Sequence, residues 1–251
     1  MLVSIIFIAL LLIFISAPKR RMMLYHKKLH EWVLDLTGLS IQGTLIPILQ
    51  TLVIVAFLKM FFPSASGIIN IGVIPSFLIN FVIVDYLYYW NHRILHTNFL
   101  WSLHRIHHSV TQFDVMATSR NSVWSSFLII YMWVNSISLF LLKDPSGYIL
   151  AMGLTAGLDI WRHSQLETNH YKLETFFSRY LFLITPREHA GHHDNRACFN
   201  FGANFNIYDK IHGTYATPHK DAWNKLGIEN HLGLARSLFF PFDSSSTKRK
   251  K

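Results

Sequence analysis

Residues 68–108 read IINIGVIPSFLINFVIVDYLYYWNHRILHTNFLWSLHRIHH. From Ile68 to Trp90 the run is mostly apolar, and it is long enough to cross the roughly 30 Å hydrocarbon core of a bilayer. It leads directly into five histidines in two groups, His92 with His96, and His104 with His107 and His108. On a helix, spacings of three and four return to one face. Each group is therefore expected to present its imidazoles in one direction. Imidazole is the commonest metal ligand among side chains. The junction at residues 90–92 decides the fold: an apolar helix that delivers metal ligands at its end.

The flanking sequence repeats this arrangement. Residues 44–62 form a second apolar run, joined to the first through the turn Pro63-Ser64-Ala65-Ser66-Gly67. Residues 123–142 and 147–162 form two more, joined through Lys143-Asp144-Pro145-Ser146-Gly147. A helical hairpin enters and leaves on the same side, so His163 is expected where His108 left off. Residues 2–17 are apolar and uncharged, with Lys19, Arg20 and Arg21 after them. A cleaved signal peptide carries its positive charge before the apolar run. This segment reads as an uncleaved N-terminal anchor, or as a shorter interfacial helix. Residues 22–40 are amphipathic, with Lys27, Lys28, Glu31 and Asp35 on the polar face, and are expected at the membrane surface, with His26 and His30 solvated. The expected fold is an all-α integral membrane protein. It has about four transmembrane helices in two hairpins, an N-terminal anchor helix and a helical, histidine-rich cytosolic cap. The expected divisions are residues 1–40 for the anchor and interfacial helix, 41–216 for the membrane domain with the metal site, and 217–251 for a cytosolic extension with a basic tail.

Composition supports this class. Half of the 251 residues are apolar and 15% are charged, fewer charges than soluble domains carry. The net charge of +9 is concentrated in Lys19 to Arg21, Lys27-Lys28 and the tail Lys248 to Lys251. Basic segments beside apolar spans follow the positive-inside rule. They place the histidine side and the C-terminus in the cytoplasm and need no nucleic-acid partner. A single cysteine, Cys198, rules out an intrachain disulfide and cysteine-based zinc sites.

Fifteen histidines against fourteen acidic residues is the outlying count. The HxxHH pattern of residues 104–108 recurs at His189, His192 and His193. At this histidine content two copies arise by chance in about one chain in a thousand. His163 and His170 stand between, seven residues apart, with Glu167 between them. The candidate ligands are thus His92, His96, His104, His107, His108, His163, His189, His192 and His193, with His170 a further candidate. One tetrahedral zinc takes four ligands or fewer. A set of this size suits two metal ions, and nitrogen donors suit Fe, Zn, Cu or Ni rather than Mg or Ca. Asp85, Asp114, Asp159, Glu167 and Asp194 are candidates to hold ligand imidazoles in one tautomer. Asp85 lies inside an apolar run, where a carboxylate is costly unless paired. His212, His219 and His231 fall outside the pattern and read as surface or packing residues.

The segments HRILH, LHRIHH, WRHS and TPREHAGHH, with the trailing NFGANFNIYDKIHGTY, resemble the fatty acid hydroxylase / sterol desaturase superfamily of membrane di-iron enzymes. The resemblance covers about residues 80–216, in the expected order. It implies a four-helix transmembrane core, two iron ions (replaceable by zinc on purification) and oxygen-dependent attack on a C–H bond of a lipid such as a fatty acyl chain or sterol. Hydroxylation is the expected outcome; desaturation and other oxidations use the same ligands. Three departures stand out. Residues Arg120 to Trp124 lack the His and Glu of the RxHPxE segment found in many members. The spacing from His163 to His189 is longer than expected, and Tyr208 stands where the superfamily often has Trp. No flavin or nicotinamide motif is present. Electrons must then come from an external donor, such as a cytochrome b5-like or ferredoxin-like carrier or a reductase. A carotenoid hydroxylase is the nearest other enzyme. A non-catalytic metal-binding or transport protein is the alternative of another class, and it would place its histidines near mid-bilayer.

Overall fold

The computed structural model describes residues 2–166, 171–194, 198–217 and 222–242. Glu167, His170, His219 and the basic tail lie outside the described residues. The described chain is helical, with only isolated bridges such as Ile69 to Leu142. Ten helices organise it: α1 (Leu2–Ser16), α2 (Pro18–His26), α3 (Leu29–Phe61), α4 (Val73–Leu95), α5 (Ile130–Leu141), α6 (Ser146–Arg162), α7 (Tyr171–Tyr180), α8 (Pro186–His192), α9 (Ile207–Ile211) and α10 (Leu234–Phe239).

Two of them, α3 and α4, are long and apolar enough to cross a membrane, and α1 with α2 form a third candidate bent by 101°. The bend falls at Ala17, which is extended, and Pro18 then opens α2, the helix position that proline tolerates. α3 packs on α5, α4 packs on α6, and α1 lies along α6. The two hairpin turns meet at one end. There Gly67 and Ile69 donate backbone hydrogen bonds to Phe140 and Leu141, and Lys143 donates to Ile69. At the same end Gly147 sits so close to α4 that a Cβ would lie 2.1 Å from the Val73 carbonyl. The histidines therefore gather at the opposite end of the bundle.

Two expectations change. The amphipathic segment and the first apolar run are not separate elements, because α3 runs unbroken from Leu29 to Phe61. It is continuous through a stretch of wide turns, Gly38–Leu45, that packs on the turn Ala117–Ser119. The third apolar run does not begin a helix at residue 123. Ser122 and Ser125 donate to the Leu103 carbonyl, and the Trp124 indole donates to Phe239. Residues 122–128 therefore belong to the histidine end. α5 is left with 12 residues, short of the roughly 20 of a typical span.

Lys27 is buried between Asp35 and Asp114, and Asp35 also pairs with Arg120. The Arg120 guanidinium further donates to the Ser109 carbonyl at 3.2 Å. This charge cluster ties the start of α3 to the loop after His108. His26 and His30 are exposed, as expected.

Candidate metal centre

Three helix ends and two short helical turns carry the imidazoles. His92 lies in the last turn of α4 and His96 follows as its C-cap. His104, His107 and His108 come from two short helical turns after it. His163 is the C-cap of α6, and α8 supplies His189 and His192 with His193 as its C-cap. α8 starts on a capping box: Thr185 accepts from the Glu188 backbone and the Glu188 carboxylate accepts from the Thr185 backbone. Such a box satisfies amides that a helix start leaves open.

The nine imidazoles form two groups. His92, His96, His104, His108 and His192 make one; His107, His163, His189 and His193 make the other. Within each group the candidate ligand atoms lie within 4.8 Å of one another. All nine residues are buried. Each HxxHH segment is split between the groups, against the expectation that it points one way. His104 and His108 share a face at a spacing of four, and His107 points into the other group. At the second motif His189 and His193 are the pair and His192 crosses over. A step of about 100° per residue separates the middle histidine from its neighbours at three and one.

Hydrogen bonds settle which nitrogen faces inward. Nδ1–H of His92 donates to the Phe201 carbonyl at 2.8 Å, and that of His192 to Phe199 at 2.7 Å. In the second group His163 donates to the Asp159 carbonyl at 2.9 Å and His107 to Arg120 at 3.3 Å. A neutral imidazole carries one proton. With that proton on Nδ1, each Nε2 presents a lone pair. Yet Nε2 of His92 and His192 lie 3.1 Å apart, and those of His107 and His163 3.3 Å apart. Two lone pairs facing each other at this distance repel unless a cation sits between them. Two nitrogens each about 2.1 Å from one ion are about 3.0–3.4 Å apart at octahedral or tetrahedral angles. The donor set therefore fits a metal ion in each group. Both ring nitrogens of His108 and of His193 are also buried without a hydrogen-bond partner.

Protonation favours the same reading. Burial, reinforced by neighbouring imidazoles, holds His104, His108, His189 and His193 well below the usual histidine range. Burial likewise pulls His107 and His192 down to about 3. Neutral rings keep a nitrogen free to ligate.

Among the carboxylates, Asp159 reaches the site. Its Oδ1 lies 3.4 Å from His163 Nδ1 and accepts from Arg162 at 3.3 Å. Among the described residues, Asp85 touches no imidazole. It accepts from the Tyr131 hydroxyl at 2.7 Å and from the Asn204 and Phe205 backbone amides, so its partner is a loop rather than a ligand. Asp114 is taken by Lys27. The Asp194 backbone bridges to Leu226, and its carboxylate makes no imidazole contact among the described residues. His212 packs against Tyr86, Tyr89 and Trp90, and His231 is exposed. The sequence reading did not single out the carbonyls of Arg120, Phe199 and Phe201. Backbone acceptors leave no residue-type signal; the only trace is the trailing NFGANFNIYDKIHGTY, whose Asp209 caps the Phe201 and Gly202 amides at 2.8 Å.

The fatty acid hydroxylase family model matches residues 77–214. Human alkylglycerol monooxygenase is 35% identical over 144 residues, which is 56% of this chain and 30% of that protein. Ornithine lipid hydroxylase OlsE of Rhizobium tropici is 29% identical over 178 residues, 68% of this chain and 51% of that protein. Very-long-chain aldehyde decarbonylase CER1 of Arabidopsis thaliana is 30% identical over 151 residues, 57% of this chain and 24% of that protein. The chain thus spans about a third to a half of the length of the first two relatives. No solved structure matches it. The matched region covers more than half of the chain and holds all nine clustered histidines, so the protein belongs to the fatty acid hydroxylase family.

Proposed function

We propose that this chain is a membrane-bound di-iron oxygenase that hydroxylates a C–H bond in the alkyl or acyl part of a lipid. The observation that carries the reading is the pair of buried imidazole groups whose inward lone pairs oppose each other at 3.1 and 3.3 Å. The family and the names of the relatives, which include an alkylglycerol monooxygenase and an ornithine lipid hydroxylase, favour iron and a polar lipid with a long chain. Desaturation by the same site is the second outcome.

Bound iron supplies the oxygen and electron chemistry that no side chain can perform. The protein does the rest. His92, His96, His104, His108 and His192 would hold one ion, and His107, His163, His189 and His193 the other. A cavity of about 80 Å³ touches both groups through His92, His104, His107, His163 and His189. Its wall also contains Leu95, Ile129 and Ala203, which suit an alkyl segment and keep bulk water away. Asp159 and Arg162 line the same cavity. Their ion pair holds the Asp159 carboxylate beside His163 and fixes that ring. α3 and α4 would cross the membrane with the shorter α5 and α6 packed on them, and the histidine end would form a cap on the cytoplasmic side, the side favoured by the basic residues of α2. An external carrier or reductase would deliver electrons there. The histidines sit at helix ends rather than at mid-span, which disfavours a transport pathway.

The test is iron per chain on protein purified anaerobically in detergent, beside His107→Ala and His192→Ala. About two irons per chain are expected in the wild type, with iron lost in each variant. Lipid extracts incubated with the protein, oxygen and a reducing system should then gain one oxygen atom by mass spectrometry. One metal or none in the wild type, or metal indifferent to both substitutions, would overturn the reading.

A further inference from the structure

One short loop steers two ligands that are 100 residues apart. The carbonyls that receive His192 and His92 belong to Phe199 and Phe201, and the residue between them is Asn200. Its backbone is left-handed, with φ at 57°. Asparagine tolerates that conformation better than most residues with a side chain. An extended chain would align the two carbonyls; the left-handed residue turns them toward rings carried by two different helices.

The loop is clasped from two sides. Asn200 exchanges side-chain hydrogen bonds with the Ala216 backbone in both directions at 2.9 Å, and its own amide donates to Thr214. Asp209 is fully buried and accepts from the Phe201 and Gly202 amides and from the Thr214 hydroxyl at 2.7–2.8 Å. Gly202 permits this closure, because a Cβ there would lie 2.3 Å from the Phe205 carbonyl. The other imidazole group draws its backbone acceptors from Arg120 and Asp159, neither of which is part of this loop.

We propose that Asn200 and Asp209 are positioning residues for one ion only, the ion of the five-imidazole group. They fix the Phe199 and Phe201 carbonyls, which hold His92 and His192 with the proton on Nδ1 and the lone pair on Nε2. A ring released from its carbonyl can carry its proton on Nε2 and so lose the inward ligand. The inference rests on the metal reading above. Outer partners of this kind typically contribute 10–100-fold in metal affinity.

The experiment compares wild type, Asp209→Asn, Asn200→Val and Asn200→Gly, each purified anaerobically. Iron per chain is measured, then the electron paramagnetic resonance spectrum after oxidation. Coupled ferric pairs are silent, and an isolated high-spin ferric ion gives a signal. Asp209→Asn and Asn200→Val are expected to hold about one iron and to show the isolated signal. Asn200→Gly keeps the left-handed backbone but loses the Ala216 hydrogen bonds, so it is expected to lose less iron than Asn200→Val. The isolated signal should match that of His96→Ala, which removes a ligand of the five-imidazole group, and differ from that of His163→Ala. If Asp209→Asn and Asn200→Val keep two irons, or lose both, the clasp is not specific to one ion and the proposal is overturned. The Asn200 pair decides if Asp209→Asn fails to fold; equal loss in the valine and glycine variants counts against the proposal. A wild-type chain without two irons sinks the metal reading itself, whereas two irons in the wild type beside unaffected variants sinks only the clasp.

Discussion

Along α3 most apolar side chains face outward, whereas no imidazole of the two groups is more than 8% exposed. The long helix shows Ile48, Leu52, Val53, Phe57 and Met60 to its surroundings. It holds its neighbours through few polar contacts, such as Ser136 to Thr51 between α5 and α3. Asn135 accepts from Asn80 and Tyr148 in the same way between α5, α4 and α6. The histidine end builds an interior from polar groups. Glu188 accepts from Ser178, Asn206 and Tyr215 as well as from the Thr185 amide. The difference is one of solvent. A bilayer receives apolar side chains without help from the protein, so α3 needs few partners. Ligands held away from water need every polar neighbour satisfied. Errors should therefore be cheap on α3 and costly around the histidines.

The largest expected effect is at His193, buried between His108 and His189. His193→Ala should remove an ion and lower lipid oxidation by more than the 10–100-fold typical of an outer partner, as read by metal analysis and product yield. Next is Asp35→Ala, which leaves Lys27 and Arg120 without their shared carboxylate. Breaking a buried pair costs about 3–5 kcal/mol, so a large drop in unfolding temperature in detergent is expected; an unchanged melt would put this cluster on a level with surface ion pairs. Gly147→Ala tests the membrane half where it is tightest. Overpacking against the Val73 carbonyl should cost about 1–3 kcal/mol while iron per chain at saturation stays constant. Thr185→Ala removes the cap of α8 and should cost about 1 kcal/mol, measured by the same melts, with a small loss of iron affinity. Leu52→Ala on the outer face of α3 should change stability by less than about 0.5 kcal/mol. A larger change there than at Thr185 would break the comparison.

The apolar runs and the histidine groups could be read from the sequence because each is a local pattern with a helical period. The buried position of Lys27 could not be read this way. Its amphipathic segment has the same periodicity whether it lies on a membrane or on the protein, and only the distant Asp114 distinguishes the two. A carboxylate such as Asp85 in an apolar run needs partners, but the run does not say whether an imidazole or a loop amide will meet it. The division of each HxxHH motif follows from helical geometry once a second group exists to receive the middle ring. The Phe199 and Phe201 carbonyls leave no mark of their own, since any residue offers the same backbone oxygen.

That division has a consequence for how the protein is made. Synthesis runs from the N-terminus, so residues 92–108 leave the ribosome long before His189, His192 and His193. The first motif supplies His107 alone to one group, and the second supplies His192 alone to the other. Neither motif encloses a site by itself. A nascent chain that ends before α8 holds four imidazoles of one group and two of the other, and both groups are completed by the same late segment. Neither segment is therefore a portable metal-binding cassette, and transplanting one into another scaffold would carry over parts of two sites and the whole of none.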